Sequence, residues 1–174
     1  MTVTSTSLND VDIAAVAALA SAVTADPDKA ATQWRARVTW LGGFRTEAAI
    51  RDFDPLPSDE PRGLGGTDTA PNPVEQLLAA LGNCLAVGYA ANATARGIAV
   101  DSLRIDVSGP VDLHSFLGLR PGHAGFDEID VVVHLATSAP QEDVDALHAH
   151  VLATSPVGHT LQAAVPVTIA HTAV

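Results

Sequence analysis

Cysteine occurs once in these 174 residues, so no disulfide can close within the chain and a disulfide-stapled scaffold is excluded. Aromatic residues make up only 4%, so a core must be assembled from Ala, Val, Leu and Ile. Basic residues are scarce: 9 Lys and Arg stand against 20 Asp and Glu, for a net charge of −11. Nucleic acid and anionic membranes both reward a basic face, so neither is expected as a partner. The opening residues, Met1-Thr2-Val3-Thr4-Ser5, lack the basic start of a signal peptide. The longest apolar stretch, Leu77 to Ala91, is interrupted by Asn83 and is short for a bilayer span. These absences together lead to the expectation of a soluble, cytoplasmic protein.

What is present suits one domain with a sizeable core, since 47% of the residues are hydrophobic. Leu8 to Thr24 has the spacing of an Ala-rich amphipathic helix, ended by Asp26-Pro27-Asp28. Gln33 to Leu41 and Arg45 to Phe53 read as two strands of a hairpin about the Gly42-Gly43 turn. Asp54 to Pro73, rich in Pro, Gly and Asp, reads as a long loop of the kind that is often functional. Asn72, Pro73 and Glu75 then form a helix start, with an N-cap, a first-turn proline and a capping-box acid. That central helix is expected to run to about Arg96 and to stop at Gly97.

Beyond it, Leu103, Ile105 and Val107 alternate with polar residues as in a half-buried strand, and Ile129, Val131, Val133 and Leu135 do the same. Leu113 to Gly125 reads as the loop between them. A further helix opens near Ser138 or Ala139, carries Val144, Leu147, Val151 and Leu152 as its apolar stripe, and breaks at Ser155-Pro156. A short helical turn and a last strand near Val165 to Ala170 close the chain. Strands arriving in pairs favour an α+β fold over a doubly wound sheet.

The chemistry centres on Cys84, inside the apolar run of the central helix. A lone thiol there is either a small core residue or a nucleophile whose thiolate is stabilised by its surroundings. Glu75 is explained by the capping box alone. It lies nine residues before Cys84, about 13.5 Å along a helix and half a turn around it, so it does not easily reach the thiol of its own chain. A Ser155–His159 nucleophile pair is disfavoured by the intervening Pro156. His148 and His150 do not share a helix face, and His114 and His123 flank a loop, so no metal is expected. Gly63 to Gly66 lacks the Gly-Lys-Ser/Thr ending of a phosphate loop, and no cofactor is expected.

At Gly65-Gly66-Thr67-Asp68-Thr69-Ala70-Pro71-Asn72-Pro73-Val74-Glu75 and on to Leu81-Gly82-Asn83-Cys84-Leu85 the chain resembles the OsmC/Ohr family of cysteine-dependent hydroperoxide reductases. Gly109-Pro110-Val111-Asp112-Leu113 and Ser155-Pro156-Val157 also look like family landmarks. The resemblance covers roughly residues 33 to 170, with residues 1–30 as an N-terminal helical extension and 31–174 as the OsmC-like domain. It implies an intertwined α+β homodimer whose long central helix is packed by antiparallel sheets. It also implies that Cys84 is the peroxidatic nucleophile and that Glu75 is the supporting acid. An arginine of the N-terminal hairpin activates the thiol, best matched by Arg45, with Arg37 as the alternative. The peroxidase members carry a resolving cysteine where this chain has Ser155. Recycling would therefore need an external thiol reductant. The partners implied are a second copy, a small-molecule hydroperoxide or other apolar electrophile, and that reductant. Two other functions stand beside this one: a different cysteine-nucleophile enzyme, and a small-molecule-binding protein without catalysis.

Overall fold

The computed structural model describes residues 7–172. The chain divides into two compact units, one of residues 12–79, the other of residues 80–172 joined by residues 7–11.

In the first unit, α1 (Ile13–Ala25) is capped by Asp12, whose carboxylate accepts from the Ala15 N–H at 3.1 Å. The expected start at Leu8 is instead a 3₁₀ turn over Leu8–Asp10. Strands β1 (Arg37–Gly42) and β2 (Arg45–Ala49) form the expected hairpin. Both strands are shorter than their apolar runs; β2 stops before Arg51, which takes a left-handed backbone with φ 52°. The expected loop from Asp54 holds a third strand, β3 (Leu56–Ser58), antiparallel to β2 with Thr46 opposite Ser58. Pro57 and the three-residue length hid it from the sequence pattern.

The rest of that segment is organised by Asp59, which is only 1% exposed. Its carboxylate accepts from the Glu60, Thr67 and Thr69 backbone N–H groups and from the Thr67 and Thr69 hydroxyls, at 2.5 to 3.2 Å. Gly66 is obligatory there, because a Cβ would stand 1.8 Å from the Glu60 carbonyl oxygen. The segment delivers the chain to Asn72, which with Glu75 makes a reciprocal capping box: Asn72 Oδ1 accepts from the Glu75 N–H at 2.9 Å, and Glu75 Oε2 from the Asn72 N–H at 2.8 Å.

Helix α2 (Pro73–Ala95) starts and ends as the sequence predicts, with Gly97 at φ 71° following its last turn. It is longer than its apolar run suggests, and by length and composition it is apolar enough to cross a membrane. Its stripe Leu81, Leu85, Tyr89 and Ala93, each four residues from the last, forms the core of the second unit with Ile98, Leu147 and Val151. Strands β4 (Ser102–Ser108) and β5 (Asp130–Ala136) pair antiparallel, Ser102 opposite Ala136, and Leu103, Ile105, Val107, Val133 and Leu135 pack on that core. The intervening segment, expected to be all loop, contains the single helical turn α3 (Leu113–Phe116), capped by Asp112. Helix α4 (Gln141–Thr154) contributes Leu147 and Val151, and α5 (Pro156–Gln162) follows at once. Asn9 ties the chain's start to the end of α2, donating to Thr94 Oγ1 and the Ile98 carbonyl and accepting from the Val100 N–H.

The expected last strand from Val165 to Ala170 does not form: those residues carry no regular structure. Val165, Val167 and Ile169 alternate as in a strand but are 52%, 79% and 90% exposed, and among the described residues no strand pairs with them.

Hydrogen bonds from the Thr67 hydroxyl first, then from the backbone of Thr69 and Glu60 and the Thr69 hydroxyl, hold the Asp59 carboxyl well below the ordinary carboxylate range, against the opposing effect of burial. A depressed folded value means stability that is complete above the unfolded value of about 3.9 and is lost as pH falls towards the folded value. Asp59→Asn is therefore expected to lower the thermal midpoint at pH 7, and the gap to the parent protein is expected to narrow below about pH 4. A pH series of melting curves for both proteins checks this; a gap that stays constant down to pH 3 would contradict it.

Candidate functional site around Cys84

Cys84 lies on α2, one residue before the buried Leu85, and is itself half-buried. Across from it, Ser155 ends α4 and begins α5. Its Oγ stands 3.3 Å from Cys84 Sγ and accepts from the Gly158 N–H at 3.1 Å. Ser155 is thus the N-cap of α5, followed by Pro156 at the first helical position, and is 5% exposed. The sequence marks Ser155 as the break after the later helix; the structure makes it a cap whose hydroxyl touches the thiol.

The approach of the two helices is set by small residues. A Cβ on Gly88 would stand 3.1 Å from Val151 Cγ1. Cys84 precedes Gly88 by one helical turn and Ser155 follows Val151 by one turn, so the close contact of the second pair brings the first together.

A cavity of about 370 Å³ opens beside the thiol, lined by Asn83, Cys84, Val87, Asn92, Thr154 and Ser155 among others. A second, of about 410 Å³, lies against the Leu81–Leu85–Tyr89 face of α2 and also reaches Ser155. Leu152, Leu161, Ile129 and Val133 make most of its wall apolar. Asp127, Glu128 and Gln162 add polar lining, as does a pair that sequence reasoning missed: the Tyr89 hydroxyl is hydrogen-bonded to His148 Nδ1, and the two rings stack with centroids 6.1 Å apart. Burial pushes the Tyr89 phenol up from its ordinary value. The available signal was slight: the chain's one tyrosine falls on the core stripe of α2, and His148 follows the core residue Leu147.

Arg45 opens β2 and Arg37 opens β1, both exposed in the first unit. The Arg45 guanidinium lies over Gly42. Glu75 is exposed and its Oε2 is engaged in the capping box. The structure thus joins Cys84 to Ser155 within one unit and places Arg45, Arg37 and Glu75 in the other. Among the described residues no group of three or more His, Cys, Asp or Glu side chains is arranged to hold a metal.

A family model described as OsmC-like protein matches residues 66–170. Among solved structures, the chain is similar to an OsmC-like protein from Mycoplasma pneumoniae, with a TM-score of 0.66 and 19% identity over 76% of this chain and 89% of that one. It is also similar to an organic hydroperoxide resistance protein OsmC from Legionella pneumophila (TM-score 0.56, 19% identity, 76% and 92% covered). A third is an organic hydroperoxide resistance protein from Elizabethkingia anophelis with thiocyanate bound (TM-score 0.56, 16% identity, 76% and 91% covered). No match was found among curated proteins. At these identities the likeness shows the fold.

If Gly88 sets the helix approach, Gly88→Val should overpack the contact with Val151 and cost about 1–3 kcal/mol. Denaturant unfolding measures the loss; a variant as stable as the parent would show that α4 does not depend on that close contact.

Proposed function

The chain belongs to the OsmC-like protein family, and from that premise we propose that it is a thiol-dependent reductase of organic hydroperoxides with Cys84 as nucleophile. The observation that carries this reading is the half-buried Cys84 beside a cavity, with its sulfur in contact with the residue at the position of the family's resolving cysteine. A cysteine that only fills the core needs neither an opening nor a polar neighbour.

The Cys84 thiolate attacks the terminal oxygen of the hydroperoxide. The S–O bond forms as the O–O bond breaks, and the alkoxide leaves and takes a proton to become the alcohol. Cysteine is oxidised to the sulfenic acid and the peroxide is reduced. One external thiol then condenses with the sulfenic acid, releasing water and leaving a mixed disulfide. A second external thiol attacks that disulfide, releases the external pair as its own disulfide and returns Cys84. Arg45 supplies the positive charge that favours the thiolate and polarises the peroxide. Glu75 orients that arginine in the homodimer, beyond its role in the capping box.

Homodimerisation is supported by the surface that one chain leaves uncovered. Val87 on α2 is 69% exposed, and Val38 and Trp40 on β1 are 65% and 70% exposed. Only 28% of the most apolar stretch of α2 is buried within the chain. A soluble protein covers apolar surface of that extent with a partner, and we place this one in the cytoplasm. The apolar cavity beside Tyr89 favours a second reading, a binding protein for a small apolar ligand, in which Cys84 has no catalytic part.

Two measurements separate the readings. Brief exposure to one equivalent of cumene hydroperoxide with a sulfenic-acid trap should add the trap at Cys84, and steady turnover with a small thiol should vanish in Cys84→Ser. Turnover that survives this substitution would exclude Cys84 as the nucleophile. Ser155→Cys should restore an internal partner, so that peroxide treatment gives an intrachain disulfide, seen as a loss of two hydrogens by intact mass and as a lower yield of trapped sulfenic acid. A fully trappable Ser155→Cys protein would mean that the contact between positions 84 and 155 does not persist in solution.

A further inference from the structure

Among the described residues, the Ser155 hydroxyl is the side-chain group in hydrogen-bond contact with the Cys84 sulfur, at 3.3 Å. Resting on the reading of Cys84 as nucleophile, we propose that Ser155 is a catalytic residue: its hydroxyl donates a hydrogen bond to the Cys84 sulfur, holds the thiolate for attack, and afterwards holds the sulfenic acid until an external thiol arrives.

The argument begins with an inventory. A serine hydroxyl has one proton to donate and two lone pairs to accept with. The Gly158 N–H takes one lone pair at 3.1 Å. Among the described residues, the one other group in hydrogen-bond contact with Ser155 Oγ is Cys84 Sγ, at 3.3 Å. No competing protein acceptor is therefore present among the described residues for the hydroxyl proton, and Ser155 is only 5% exposed.

The charge state of the sulfur then decides the direction of the bond. A thiol donates S–H only weakly, whereas a thiolate can only accept. On ionisation the contact becomes O–H···S⁻, a charge-assisted bond about twice as strong as a neutral one. The hydroxyl keeps its proton throughout. It forms no covalent bond, and the electrons that leave sulfur go to the peroxide oxygen.

The donor is also held in position. Ser155 is locked as the N-cap of α5 by Gly158, and Pro156 fixes the backbone after it. Gly158 leaves room for this arrangement, since a Cβ there would stand 3.0 Å from Ser155 Oγ. A cap and a donor in one hydroxyl must be separated by experiment. Glycine caps a helix nearly as well as serine, while alanine does not, and both lack the hydroxyl.

The test compares the parent protein with Ser155→Gly and Ser155→Ala. It follows alkylation of Cys84 by iodoacetamide at pH 7, oxidation by cumene hydroperoxide, and the thermal midpoint of each protein. A hydrogen bond to a charged sulfur is stronger than one to a neutral sulfur, and the loss of nucleophilicity that goes with it offsets part of the gain. Both substitutions should therefore slow alkylation by about three- to tenfold, with Ser155→Gly keeping a midpoint near that of the parent and Ser155→Ala melting lower. Oxidation by the hydroperoxide should slow in proportion. Parent-like alkylation in a folded Ser155→Gly would overturn the assignment. So would a loss confined to Ser155→Ala that tracks its stability. A parent protein that ignores hydroperoxide, yet whose alkylation depends on the hydroxyl, would remove the reductase reading and leave the Ser155 contact standing.

Discussion

The geometry around Cys84 depends on how closely α4 approaches α2 at Gly88. With no side chain at position 88, Val151 packs almost onto the helix backbone, within 3.1 Å of where a Cβ would be. Val151 and Leu147 then bury completely against Leu85 and Tyr89. One helical turn along in each partner lie Cys84 and Ser155. Core packing therefore brings them to the 3.3 Å separation at which they hydrogen-bond. A close-packed interior has low compressibility, so a thiol placed in this way has its neighbour fixed by the packing around it. The Cys84–Ser155 contact is placed by apolar residues that have no chemistry of their own.

The second constraint lies in the break between α4 and α5. Pro156 ends one helix because it cannot continue the ladder of hydrogen bonds, and it starts the next because its fixed φ suits a first helical position. The residue before it must be extended, and Ser155 is, with φ −76° and ψ 111°. An extended residue between two helices turns its side chain onto the amides of the second, which is why the hydroxyl caps Gly158. The proline thus orients the serine, the serine caps the helix, and the same oxygen meets the sulfur. Losing any one of these would affect the other two.

The sequence reveals the elements whose signals are local. The start of α2 carries its own N-cap, proline and acid within four residues, and the capping box forms between Asn72 and Glu75. The alternation in β4 and β5 is regular, and the strands pair over seven residues each. Illegible features depend on distant parts of the chain. Strand β3 exists because β2 offers an edge, not because Leu56-Pro57-Ser58 has strand character. Val165, Val167 and Ile169 have that character, and among the described residues no strand pairs with them. At the site, Cys84 was identified from its helix and family motif, and Ser155 from the position of a missing thiol. That the two touch could not be read from residues 71 apart in sequence, because it follows from the packing of Gly88 on Val151. The Tyr89–His148 pair escaped for the same reason.

Replacing a resolving thiol by a hydroxyl changes one property and preserves another. A hydroxyl cannot form a disulfide and Cys84 is the chain's one cysteine, so on the proposed reaction its sulfenic acid would have no thiol partner in the chain and would wait for one from outside. The hydroxyl remains small, polar and buried, and it can hydrogen-bond to the sulfur in either oxidation state. An apolar residue of the same size would leave the sulfur without that partner and would also strip the cap from Gly158. Serine is the smallest change from cysteine that removes the disulfide while keeping both hydrogen bonds. On the proposed reaction, this moves the control of turnover from the chain itself to the supply of external thiol. The rate of recycling would then scale with reductant concentration, whereas the rate of attack would remain a property of the fixed contact between Cys84 and Ser155.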